Sequence, residues 1–178
     1  DKDWIGMVDT TKADYIVILT PNDLHFEMIV KALGKDKIVL CEKPLTIDIS
    51  EARSFLGNKK VFTVLQLRHH FLAKQLKSEI QINKQYEIEM DISVFRDSDY
   101  YKSWKGNKKR SGGILYNLGI HYFDLLLWLF GEAKKVETKH SDDKLAFGNI
   151  MGDNYACHWR ICSNAPKENQ HRTFKVNG

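Results

Sequence analysis

Unbroken apolar runs fill the first third of the chain, and alternating runs fill much of the rest. Residues 14–20, DYIVILT, are apolar and β-branched almost throughout and are closed by Pro21 and Asn22. Such a run predicts a strand covered on both faces, as in a parallel sheet. NDLHFEMIVKALG follows, with Phe26, Ile29, Val30 and Leu33 at helical spacing, Asn22 or Asp23 as cap and Gly34 as stop. KIVLCEKP reads as a second buried strand halted by Pro44, DISEARSFLG as a short helix capped by Asp48 or Ser50, and VFTVLQL as a third strand. Strand, helix, strand, helix, strand is the order of a doubly wound α/β sheet.

The pattern then changes. HFLAKQLKSEI predicts a linker helix, and YEIEMDISVF, residues 86–95, alternates as a strand with one wet face does. A polar, basic loop, DSDYYKSWKGNKKRSGG, leads into an apolar helix over about residues 113–130, buried nearly all round. NYACHWRICS and HRTFKV read as further strands. The fold class expected is therefore α/β: part of a doubly wound parallel sheet, then an α+β domain on an open, mainly antiparallel sheet. The boundary falls near residues 67–71. No GxGxxG turn, the phosphate cradle of a dinucleotide fold, occurs in the chain. With neither end tidy and no initiator Met, the sequence reads as part of a larger protein.

Bulk properties remove several classes. A chain of 178 residues, 43% hydrophobic and 28% charged, is an ordinary globular one, which argues against disorder and fibrous architectures. A net charge of +4 tilts it mildly toward acidic partners and does not imply nucleic acid. Cys41, Cys157 and Cys162 are odd in number and lack CxxC spacing, so a reducing cytoplasm is the simpler setting. The opening DKDWIGMVDT has neither the basic nor the apolar region of a signal peptide. Residues 114–130 are slightly short for a membrane span, and Asn117, His121 and Asp124 would be costly in lipid.

Four places carry candidate chemistry. TPNDLH ends the first strand and CEKP the second, so Thr20, Asn22, Glu42 and Lys43 share the rim where open α/β sheets bind ligands. A turn and a helix cap account for the first motif equally well. A lysine held extended before Pro44 points its ammonium in one direction, where it could stabilise a developing alkoxide. Asn117, His121 and Asp124, at i, i+4 and i+7, form a polar row on the apolar helix. The row is either a satisfied core or the wall of a cleft, and three such groups together favour the wall. YYKSWKGNKKRSGG mixes aromatic rings with cations, which suits a solvated loop, a lid for a small anion or, on the weaker evidence of one short run, nucleic acid. Arg68, expected at the end of the third strand, could reach the same cleft, whereas His69 and His70 lack metal spacing.

TPN..H, then CEKPL, then SGGI...N.G.H..D...W..G, in that order, resembles the family of glucose-fructose oxidoreductase, inositol dehydrogenase and rhizopine-catabolism oxidoreductase. The resemblance covers residues 13–176. LQLR, SWKG and RSGGILYNLGIHYFDLLLWLFG look similar to one bacterial subgroup, the UDP-N-acetyl-2-amino-2-deoxy-glucuronate dehydrogenases, which has Asn at the place of Asn117 where many members have Asp. The resemblance implies that residues 1–68 are the C-terminal part of a Rossmann domain. Residues 69–178 would be an incomplete substrate-binding and oligomerisation domain.

It also implies NAD, or NADP, as cofactor. The reaction would oxidise a sugar hydroxyl, C3 of UDP-N-acetylglucosaminuronate, in lipopolysaccharide assembly, with 2-oxoglutarate as a second substrate. Lys43 and His121 would be the catalytic pair, either one serving as formal base. Thr20, Pro21, Asn22, His25, Glu42 and Lys43 would line the cofactor. Arg68, Tyr101, Trp104, Lys105, Ser111, Asn117 and His121 would meet the substrate. The Lys43–Pro44 bond would be cis. The expected protein is a cytoplasmic homo-oligomer joined through its open sheet, with no metal, membrane or nucleic-acid partner. A different sugar or cyclitol dehydrogenase of the family, and a non-catalytic nucleotide-sugar binder, are the alternatives.

Overall fold

The computed structural model describes residues 3–177. It has two sheets. The first is parallel, in the order β1 (Tyr15–Ile18), β2 (Ile38–Cys41), β3 (Val61–Thr63). Helices α1 (Trp4–Thr10), α2 (His25–Leu33) and α3 (Ile49–Ser54) alternate with these strands. Val8, Ile16, Ile18, Ile29, Val39 and Cys41 form the core between sheet and helices. Asp48 caps α3 by accepting from the N–H groups of Ser50 and Glu51.

The strands expected to be covered on both faces are covered on one: Tyr15, Val17, Leu40 and Phe62 are exposed. The reason lies in the layering, since the core forms on the face that carries Ile16, Ile18, Val39 and Cys41. Two further expectations fail locally. The third strand stops at Thr63, and Arg68 lies in a 3₁₀ turn, Gln66–His69, not at a strand end. Helix α1 was not anticipated; its seven residues are too few for a clear period.

After α4 (Phe71–Glu79) comes the second sheet. Its strands are β4 (Tyr86–Ser93), β5 (Lys135–Ser141), β6 (Leu145–Met151), β7 (Tyr155–Cys162) and β8 (His171–Val176), in the order β5-β6-β7-β4-β8. Only β4 with β7 is a parallel pair, so the sheet is mainly antiparallel, as expected. On β4, Ile88, Met90 and Ile92 face the core, and Glu87, Glu89 and Asp91 face out. The basic loop contains three short helical pieces: α5 (Ser98–Lys102), a 3₁₀ turn Trp104–Gly106, and α6 (Lys108–Ser111). Gly112, at φ 80°, ends α6 in a left-handed conformation that favours glycine.

The apolar helix is not uniform. A π-helical turn, Leu115–Gly119, leads into α7 (Ile120–Phe130). Leu125, Leu126, Leu129 and Phe130 enter the core, but Leu127 is exposed, so α7 is not buried all round. Residues 108–130 are by length and composition enough to cross a membrane, but Gly112 separates α6 from the π turn, and α7 packs into the core of the second sheet. The three cysteines are buried and free, and burial pushes the Cys41 and Cys157 thiols up to about 12, which leaves them unreactive.

Candidate active site

Register builds the rim. Ile18 of β1 lies opposite Cys41 of β2, so the next residues of both strands emerge side by side. Leu19 and Thr20 follow the one, Glu42 and Lys43 the other. The Lys43–Pro44 bond is cis, as the resemblance implied. From the other half of the chain the π turn comes down onto this rim. The Lys43 Nζ donates to the Asn117 carbonyl at 2.7 Å. Asn22 Nδ2 donates to the Ser111 carbonyl at 2.8 Å and to Asn117 Oδ1 at 3.1 Å. Asn117 Nδ2 in turn donates to the Lys105 carbonyl at 3.2 Å.

These contacts enclose a cavity of about 270 Å³. One wall is the rim: Leu19, Thr20, Asn22, Glu42 and Lys43. The other is Arg96, Tyr100, Trp104, Lys105 and Asn117. His121 stands outside that wall, one helical turn past Asn117 and half-buried.

The electrostatics distinguish the two central groups. Burial lowers the Lys43 pKa first; Glu42 opposes that, and the charges of Lys105 and Arg96 add to it. Burial also lowers that of His121 below 6.5, and Lys43 lowers it further against the pull of Glu42 and Asp124. His121 is therefore neutral near pH 7. Its Nδ1 is buried without a hydrogen-bond partner in the protein, an arrangement that costs about 1–3 kcal/mol. Trp159 Nε1, in the core of the second sheet, is the other such atom among the described residues.

Several residues assigned from sequence have other duties. His25 is fully buried, with Nδ1 2.8 Å from the Pro44 carbonyl and Nε2 3.0 Å from the Thr20 carbonyl. It ties the two strand ends together, with both ring nitrogens engaged by the protein. Ser111 is fully buried too, with Oγ accepting from the Gly113 N–H at 3.1 Å. The Arg68 guanidinium is paired with Asp124, Nε to Oδ2 at 2.7 Å, and does not line this cavity. That pair also explains one end of the polar row: Asp124 is a satisfied partner. Pro21 shapes the turn, its carbonyl accepting from Leu24, and does not line the cavity. The Tyr101 hydroxyl is bound to Ser163, 2.9 Å from its carbonyl and 2.8 Å from its Oγ. Thr20, Asn22, Glu42, Lys43, Trp104, Lys105 and Asn117 do line the cavity. Sequence reasoning missed Arg96 and Tyr100; the available signal was that Arg96 is the first cation after β4.

A parallel sheet with ligand groups on its rim, closed by a helix from a second, mixed sheet, is the architecture of nicotinamide-dependent oxidoreductases of two domains. Residues 2–59 match the oxidoreductase family's NAD-binding Rossmann fold, and residues 74–162 match its C-terminal alpha/beta domain. The chain belongs to this family, that of glucose-fructose oxidoreductase, inositol dehydrogenase and rhizopine-catabolism oxidoreductase. It is similar to the WlbA (WbpB) dehydrogenase from Thermus thermophilus, solved with NAD and alpha-ketoglutarate: 32% identity, TM-score 0.86, 99% of this chain and 62% of that one. A second structure of that enzyme, with NAD and UDP-GlcNAcA, gives the same identity, 32%, and TM-score, 0.86, over 63% of its chain. Inositol 2-dehydrogenase of Rhizobium meliloti is 32% identical over 131 residues, which are 67% of this chain and 37% of its own length. This chain thus spans less than two thirds of each of these proteins.

The rim fits the nicotinamide end of NAD. It offers Glu42 and Lys43 around one cavity at the strand ends, while the Thr20 hydroxyl donates to Met28 Sδ at 3.3 Å. The glycine-rich turn that holds the phosphates in this fold is not among the 178 residues.

Proposed function

We propose that this chain carries the substrate side of an NAD(P)-dependent dehydrogenase that oxidises a sugar hydroxyl. The observation that carries the reading is the rim itself. A half-buried Lys43 is pinned by the Asn117 carbonyl beside a neutral His121 whose Nδ1 has no protein partner. Lys43 spends one of its three N–H donors on Asn117 and keeps the others for the substrate oxygen. Neutral His121 takes the hydroxyl proton, and the ammonium stabilises the negative charge that develops on that oxygen. When bound, NAD supplies the hydride acceptor. Asn117 fixes the lysine and faces the same cavity, which lets it orient the sugar.

The finer reading is oxidation of C3 of UDP-N-acetylglucosaminuronate in surface-polysaccharide assembly, by a cytoplasmic enzyme whose cofactor a 2-oxoacid regenerates. The likeness to the Thermus WlbA enzyme over 99% of this chain supports it. So does the cationic far wall, Arg96 and Lys105. Identity to inositol 2-dehydrogenase at the same 32% favours a second reading, a cyclitol or simple sugar as substrate. We further assign residues 1–68 to the cofactor domain and 69–178 to the substrate domain. Self-association would use the outer face of the five-stranded sheet. The test is nicotinamide absorbance with the full-length protein and UDP-N-acetylglucosaminuronate, with and without 2-oxoglutarate. Turnover that Lys43→Ala and His121→Ala both abolish is expected. Turnover with myo-inositol alone would select the second reading, and bound NAD without turnover on either would sink both.

A further inference from the structure

The cleft does not end at Asn117. It continues into a second cavity of about 220 Å³, and the two share Arg96, Tyr100, Lys105 and Asn117. The second cavity adds Lys108 and Lys144, with Asp143 as its one carboxylate. Four cations thus face one small space. Among the described residues none of the four forms an ion pair, whereas Arg68, Arg110 and Arg160 are each paired with an aspartate.

Three of the four lie over aromatic rings, and Arg96 also shares a hydrogen bond with the Tyr100 side chain. Arg96 lies over the Tyr100 ring at 5.0 Å, Lys105 over Trp104 at 5.9 Å and Lys144 over Tyr101 at 5.3 Å. A ring face fixes a cation without using up its donors. Tyr101 is itself fixed, since its hydroxyl is bonded to Ser163, which is buried at the end of the second sheet. Clustered like charges repel, and one opposing carboxylate does not balance four of them. An oxyanion would relieve that repulsion, and a planar guanidinium at the mouth could grip it with two parallel bonds.

We infer that this second cavity is an oxyanion subsite, that it receives a phosphate or carboxylate of the substrate, and that Arg96, which faces both cavities, is its specificity-determining residue. The inference rests on the sugar-dehydrogenase reading for the identity of the ligand, not for anion binding. The subsite lets a sugar reach the rim only when its oxyanion is seated beyond Asn117. The substrate is then an acidic or phosphorylated sugar, and uncharged cyclitols bind poorly.

Calorimetry on the full-length protein at fixed ionic strength tests this, comparing wild type with Arg96→Gln and Lys144→Gln. Three ligands separate the sources: UDP-N-acetylglucosaminuronate, UDP-N-acetylglucosamine, which lacks the carboxylate, and glucuronate, which lacks the diphosphate. Each substitution should weaken the acidic nucleotide sugar by roughly tenfold or more. Equal weakening of UDP-N-acetylglucosamine identifies the diphosphate as the seated group, and weakening of glucuronate identifies the carboxylate. Unchanged affinity of both variants for all three ligands overturns the subsite. Weakened binding without turnover on any sugar would leave the subsite standing and remove the dehydrogenase. Turnover with unchanged binding would do the reverse.

Discussion

The charge of Lys43 acts on His121, and each residue can be questioned separately. Lys43→Met keeps most of the side chain's bulk and deletes its ammonium. It should lower kcat by roughly 10²–10⁴, the usual worth of a positioned proton-transfer or charge-stabilising group; a loss under threefold would remove Lys43 from the chemistry. His121 gives a sharper sign. Its pKa lies below 6.5 because of burial and because of Lys43. An activity that needs the neutral ring is present at higher pH and is lost as pH falls through that lowered value. The acid limb of kcat/KM should therefore inflect below 6.5. In Lys43→Met one lowering influence is gone, so the His121 resonances, followed by NMR, should titrate at higher pH than in wild type. A shift the other way would mean that the added burial of the ring by methionine outweighs the lost charge of Lys43. His25 and Ser111 show the limit of residue-level reading. A motif reports that a histidine follows TPN, but only the fold reports that both its nitrogens are spent on the carbonyls of Thr20 and Pro44.

Elements were legible in proportion to how much their pattern owed to burial. β1 and β2 were visible as continuous apolar runs, and α2 because Phe26, Ile29, Val30 and Leu33 repeat at helical spacing. β5 was invisible: KVETKHS is exposed at every position, and its pairing with β6 owes nothing to apolar periodicity. β6 was hidden by Gly148 in its middle, where any Cβ would sit 2.0 Å from the Glu137 carbonyl oxygen. The π turn was hidden for another reason. The spacing of Asn117, His121 and Asp124 was read on a regular 3.6-residue helix, and a wide turn changes which way Asn117 faces. Gly119 closes that turn, and two effects compete there. Gly119→Ala should gain about 1 kcal/mol of helix propensity. Against that, the new Cβ would lie 2.7 Å from Phe123 Cε2, and the Phe123 ring is held edge-on to Trp159 at 5.2 Å. A partly buried ring held against the core does not yield freely, and overpacking costs about 1–3 kcal/mol. Net destabilisation by urea unfolding is expected, with kcat reduced because the Asn117 carbonyl moves off Lys43. A more stable variant of unchanged activity would show that the turn is not set by packing.

The two halves of the molecule meet through polar groups far apart in sequence, and this is what no local pattern contains. Asn22 reaches Ser111 and Asn117, Lys43 reaches Asn117, and Arg110 pairs with Asp23 at 2.8 Å. Both rims could be read separately; which amide donates to which carbonyl could not. Asn22 is the centre of this junction, almost fully buried, with its amide serving two acceptors. Asn22→Ala leaves the Ser111 carbonyl and Asn117 Oδ1 without that donor and should cost about 1–3 kcal/mol. Asn22→Asp should cost more at neutral pH, since it sets a carboxylate against those same two oxygens in a buried place. Its sign with pH follows. Burial and the facing oxygens raise the new carboxyl's pKa in the folded state above its unfolded value near 4. The folded protein then binds the proton more tightly, so the deficit of Asn22→Asp is largest at pH 7 and shrinks as pH falls toward the unfolded value. The deficit of Asn22→Ala, lacking that group, should show no such slope. Urea unfolding of the three proteins from pH 7 to pH 4 measures the difference. Parallel curves for the two variants would mean that the junction opens and hydrates the carboxylate, so that the rim lysine and the helix of His121 are joined by Lys43 and Arg110 alone.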